Sequence, residues 1–272
     1  MTIKLIKYEF RSSIGFIGIL WAGLLAAGLL MGITNKVTQN LFAGEGNQVI
    51  KNLLEAIPLI IYFALFVAMI VATIIIVVVR FYKGLLGEEG YLMHTLPLKT
   101  WQLITAKGIV AAIVVIAGGI VAVLSVVTII CINDSREAFA VLSEIFKELE
   151  AEPILILIGF EFIILGIFGV LKSIYQVYAS LCIGQLVNRH RILLAVGAYI
   201  GINIVLGVIF SIVVSFVDTA HIESLFEDAV RVLGETGLAN AVMGVMILVT
   251  VIQLVIFHIV SERIMTKKLN LQ

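Results

Sequence analysis

Few side chains in this sequence are placed to do chemistry. Glu161 is the one acid inside an apolar segment, eight residues on from Pro153, or about 12 Å along a helix. An ionisable group at that depth costs about 3 kcal/mol to insert, which makes Glu161 a candidate contact for a substrate or a coupling proton. A solvated position near the membrane interface is the plainer alternative. Lys172 shares its helical face, but eleven residues on, at about 16 Å, it is too far to pair directly. Asn203, Gln253 and His258 could hydrogen-bond between helices, and Asn203 is a second candidate for a substrate pathway. Glu88 and Glu89 form an acid pair in a loop. His94, His190, His221 and His258 have neither metal-ligand spacing nor a carboxylate nearby.

These residues must be held by elements that live in lipid. The chain has 272 residues, of which 61% are hydrophobic and only 13% charged. Soluble domains run about 45–50% apolar and about 25% charged, so the composition excludes a soluble enzyme, a disordered chain and a nucleic-acid binder. Glycine is plentiful and proline scarce, which suits packed helices better than a barrel. The fold expected is an all-α polytopic membrane protein. Six apolar segments are each long enough to span a bilayer: 14–33, 57–79, 108–132, 154–180, 192–217 and 238–260. Pro58 and Pro153 stand just inside two of the expected helix starts. Lys172, Gln185 and Asn188 blur the inner end of the fourth span.

Charge sets the orientation. Twelve basic residues fall in the termini and the second and fourth loops, against five in the other loops. The positive-inside rule then places both termini in the cytoplasm of a bacterial-type plasma membrane. Thirteen of the eighteen acids lie in the three outer loops, which makes that surface negative. The first span, preceded by Lys4, Lys7 and Arg11, reads as a signal anchor rather than a cleaved leader. The two cysteines, Cys131 and Cys182, are expected near opposite faces and unbonded.

The loops carry pattern of their own. Residues 134–152 place Ala138, Val141, Leu142, Ile145, Phe146 and Leu149 on one helical stripe. Residues 218–237 repeat that spacing, and Val49 to Leu54 do so more weakly. These read as amphipathic helices in the extracytoplasmic loops, lying on, entering or capping the bundle. Ile3, Ile6, Phe10 and Ile14 make the N-terminus an interfacial helix feeding the first span. Gly28-x-x-x-Gly32 and Gly197-x-x-x-Gly201 permit close helix approach, at a dimer seam among other places. The cytoplasmic loop 80–107 is punctuated by Gly84, Gly87 and Gly90, and Leu96-Pro97 marks a helix boundary beyond which Pro97 starts the next helix. Leu85, Leu86, Tyr91, Leu92 and Met93 read as exposed apolar residues there, set against headgroups or against a docked protein.

Six spans, an amphipathic N-terminus and the string Gly87-Glu88-Glu89-Gly90-Tyr91-Leu92-Met93-His94-Thr95-Leu96-Pro97-Leu98, followed by Lys107, resemble the permease subunit of type-2 ATP-binding-cassette exporters. The resemblance covers nearly the whole chain in topology and about twenty residues in motif. It implies a homodimeric or heterodimeric permease whose loop between spans two and three docks on a separate ATPase subunit. The coupling residues it implies are Gly84, Leu85, Leu86, Glu88, Glu89, Tyr91, Leu92, Met93 and His94. The chain lacks a G-x-x-x-x-G-K-[ST] string, so ATP and Mg are expected on the partner and no cofactor on this chain. The partners implied are the ATPase, a second permease chain and the bilayer, with no nucleic acid. Substrates such as a peptide or an amphiphile remain open. The alternatives are a secondary transporter or channel without an ATPase, and a non-transporting immunity or sensory subunit. An enzyme is not expected: Met93 stands where an E-E-x-x-x-R protease needs Arg, and Asp134, Asp218 and Asp228 all lie in outer loops.

Overall fold

A computed structural model describes residues 2–42, 48–87, 99–151, 154–187, 190–216 and 219–267. The described residues are almost entirely helical and contain no strand. In chain order the helices are α1 (Thr2–Leu41), α2 (Gln48–Phe81), a π-helical turn (Tyr82–Leu86), α3 (Thr100–Asn133), α4 (Ser135–Ala151), α5 (Ile154–Gly184), α6 (Arg191–Phe216) and α7 (Thr219–Lys267). Among the described residues six segments are long and apolar enough to cross a membrane, one each in α1, α3, α5, α6 and α7 and one running from α2 through the π-helical turn. Each overlaps one of the six apolar runs, because a helix satisfies every backbone group internally wherever water is absent.

Helix ends follow local chemistry more closely than proline position. Pro58 is not at a helix start: α2 begins at Gln48 and carries Pro58 inside it. A proline there removes one backbone bond without ending a helix whose flanking turns are strongly apolar. Pro97 lies outside the described residues, and α3 starts at Thr100. There the Lys99 N–H donates to the Gln102 side chain at 3.2 Å, half of a capping box. Asp134 separates α3 from α4 and caps the latter, its carboxylate accepting from the Arg136 N–H at 2.9 Å. The N-terminal amphipathic stretch is not a separate helix but the first turns of α1. Gly234, at φ 73° and ψ 166°, breaks α7 between its amphipathic and membrane-length parts. That backbone region is open almost only to glycine.

The chain forms two compact units. The first contains Ile3–Val77 and Val110–Ala151. Within it α1 packs on α3 through small residues. A Cβ added at Gly28 would meet the Ser125 carbonyl oxygen at 3.2 Å, and one at Gly32 would meet Ile132 at 3.1 Å. The Gly28–Gly32 pair, open to a dimer seam on sequence grounds, therefore lies against a helix of its own chain. The Tyr62 hydroxyl reaches Ser125 Oγ at 2.7 Å, joining α2 to the same spot. The α4 stripe is exposed at Val141, Ile145 and Phe146.

The second unit contains Val78–Ile109 and Glu152–Gln272. Its α5 packs extensively on α7 and also on α6. Tyr175 meets His258, and farther along Cys182 meets Ser261, so α5 and α7 run parallel. The C-terminal end of α5, blurred on sequence grounds by Lys172 and Gln185, holds all of that helix's fully buried residues, from Ile174 to Gly184.

Candidate functional site

The second unit concentrates its buried side chains where α2 ends, α3 begins, α5 ends, α6 begins and α7 ends. The π-helical turn closes with the Gly87 N–H donating to the Tyr82 carbonyl at 2.8 Å. This turn tucks Leu85 and Leu86 inward, to 0% and 6% exposure. Both were expected to be exposed, and the structure corrects that: the wider turn rotates them off the loop surface into the core. Gly84 is buried with them.

Lys107 explains why position 84 is glycine. The ammonium lies directly over Gly84, where an added Cβ would come within 2.6 Å of Nζ. From there it donates to the Arg80 carbonyl at 3.3 Å. Arg80 is in the last α-helical turn before the π-helical turn, and its carbonyl gives the buried ammonium a polar partner. One side chain thus ties the start of α3 to the end of α2 at the two ends of loop 80–107.

Aromatic rings extend this base to α5 and α7. Phe81 stacks on Tyr178 with centroids 3.8 Å apart and planes 12° from parallel. Tyr178 meets Tyr175 edge-on at 5.8 Å, and Tyr175 meets His258 edge-on at 5.2 Å. The Tyr175 hydroxyl donates to Thr105, whose own proton goes to the Trp101 carbonyl. It rests on Gly108, where an added Cβ would lie 2.6 Å from it. His258 therefore serves as packing between helices. The ring contacts thus connect the end of α2 with α5 and α7.

The remaining expected site residues are distributed differently. Glu88, Glu89, Tyr91, Leu92, Met93 and His94 lie outside the described residues. Asn203 is exposed on α6, its Nδ2 donating to the Tyr199 carbonyl of its own helix at 2.8 Å. Gly197 and Gly201 on the same helix have nothing within 4 Å of an added Cβ. Glu161 is half-buried, and its Oε2 is covered without a hydrogen-bond partner. Asn240 Oδ1 on α7 is in the same condition. Asn240 escaped the sequence reading, since a lone amide in an apolar run carries no spacing signal.

Lys107 covers Gly84, and the π-helical turn closes on Gly87. Among the described residues no three His, Cys, Asp or Glu come together as metal ligands. Cys131 and Cys182 are both free. Comparison with protein families, with curated proteins and with solved structures found no match to this chain.

Proposed function

We propose that this chain is the permease subunit of an ATP-binding-cassette exporter in a bacterial-type plasma membrane, with both termini cytoplasmic. Two such chains would enclose the pathway, and separate ATPase subunits would bind ATP and Mg. The observation that carries this reading is the braced base of loop 80–107. A loop that only connected two spans would need no buried lysine, no covered glycine and no ring stack reaching two further helices. A loop that receives force from a partner needs all three, because motion is transmitted only through parts that do not yield.

Contact with the ATPase belongs to the segment Glu88–His94, since Leu85 and Leu86 are turned inward and act as its footing. Purification of the tagged chain from its native membrane is expected to recover an ATP-hydrolysing partner in equal amount. Reversing Glu88 and Glu89 to lysine should abolish that recovery while leaving membrane insertion intact. Recovery of a clean oligomer without an ATPase would overturn the reading in favour of a secondary transporter, which the unpartnered oxygen of Glu161 would then serve as an ion relay.

A further inference from the structure

We propose that α4 is a membrane-surface helix, its apolar stripe lying against the lipid at the level where α3 ends and α5 begins. The proposal rests on those two helices crossing the membrane and not on the permease reading.

Both ends of α4 are pinned. Asp134 is the single residue between α3 and α4. Its N–H donates to the Ile130 carbonyl at 3.0 Å, closing α3, and its carbonyl accepts from the Ala138 N–H at 3.1 Å, opening α4. Only residues 152 and 153 separate α4 from α5. The flanking helices are apolar almost up to these joints, with Ile129, Ile130 and Ile132 before and Ile154, Leu155 and Ile156 after. Ile130 and Ile156 are exposed, as lipid-facing residues are. Such helix ends stay in hydrocarbon close to their last turn. Arg136, Glu144, Lys147, Glu148 and Glu150 forbid α4 itself to cross, so it starts and finishes at the same boundary. Its 17 residues measure about 25 Å. A rod of that length with both ends at one level lies along the surface and does not project from it.

The faces of α4 fit that position. Val141, Ile145 and Phe146 of the stripe are 56%, 48% and 64% exposed, so the first unit leaves them uncovered. Phe139, seven residues before Phe146 and also exposed, extends one edge of the stripe. Arg136, Ser143 and Lys147 lie opposite it and are exposed to water. The dimensions favour lipid over a protein partner. The stripe is about 25 Å by about 10 Å, about 250 Å², against about 800 Å² on each side of a stable protein interface. Lipid already meets the chain at both joints. Acids outnumber bases on α4, so burial of the stripe, and not attraction to anionic headgroups, holds it there.

The test uses the full chain without Cys131 and Cys182, in phosphatidylcholine vesicles. Single bimane-labelled cysteines are placed by Ile145→Cys, Phe146→Cys, Ser143→Cys and Lys147→Cys, with Ile156→Cys on α5 as the reference for a residue in lipid. Labels at 145 and 146 should be quenched by a lipid carrying a nitroxide near its headgroup, as the label at 156 is, and should lose quenching by aqueous iodide. Labels at 143 and 147 should show the reverse. Iodide quenching of all four α4 labels would overturn the proposal by placing the helix free in water. Shielding of 145 and 146 from both quenchers would also overturn it, showing that the bundle or a second copy of the chain covers the stripe. These labels read α4 alone, so failure to recover an ATPase bears on the permease reading and leaves this result standing.

Discussion

A lysine buried at 6% exposure needs a polar partner, and Lys107 has one in the Arg80 carbonyl where α2 passes into the π-helical turn. Replacement by methionine keeps the stem packed over Gly84 and removes only the ammonium. The expected loss is about 1.5–3 kcal/mol, typical of a hydrogen bond to a charged group, read as a lower melting temperature in detergent. Tyr175→Phe removes one neutral bond to Thr105 and should cost about 1 kcal/mol in the same assay. Unchanged stability in the methionine variant would show that the ammonium does not hold the base. Lys107 was visible in the sequence as the basic residue beyond the TLP turn. Its burial was not, because its acceptor is a main-chain carbonyl, which residue types do not display.

At the level of helices, what a glycine faces matters more than the motif it belongs to. A Cβ at Gly184 would come 2.6 Å from the Arg191 carbonyl and 2.7 Å from the Ala195 Cβ, where α5 turns into α6. Backbone cannot move aside as a side-chain end can, so Gly184→Ala should destabilise by about 1–3 kcal/mol. Gly197→Ala, in open space on α6, should be neutral or gain up to about 1 kcal/mol from helix propensity. Thermal unfolding of the two single variants, compared directly, checks the order; a neutral Gly184→Ala would contradict the close α5–α6 turn. The G-x-x-x-G strings look alike on paper. One is covered by α3 and the other is bare, and only the pairing of helices tells them apart. The amphipathic spacing at 134–152 was fully legible, and Asp134 supplies the cap that starts α4, since both depend on neighbours within a turn.

For the molecule as a whole, the central issue is which way it sits in the membrane. In the second unit the ends of α2, α3, α6 and α7 that carry Arg80, Lys107, Arg191 and Arg263 gather with the inner end of α5. Under the proposed topology this basic end faces the cytoplasm, as the positive-inside rule expects. In a background without Cys131 and Cys182, Ser143→Cys on the exposed face of α4 should react with an impermeant maleimide in intact cells. Thr266→Cys near the end of α7 should react only after permeabilisation. The reverse pattern would invert the topology.

Composition and apolar run length determined by themselves that the chain is helical, with six segments long and apolar enough to cross a membrane. Those properties are set residue by residue by the choice between lipid and water, and need no knowledge of neighbours. Charge placement predicted an orientation in the same local way. What only the tertiary structure decided are the meetings between distant segments: Leu85 and Leu86 turned inward, Gly84 beneath Lys107, and Phe81 stacked on Tyr178. Each depends on the register of one helix against another, and that register is settled by packing between side chains far apart in sequence rather than by the pattern along either helix.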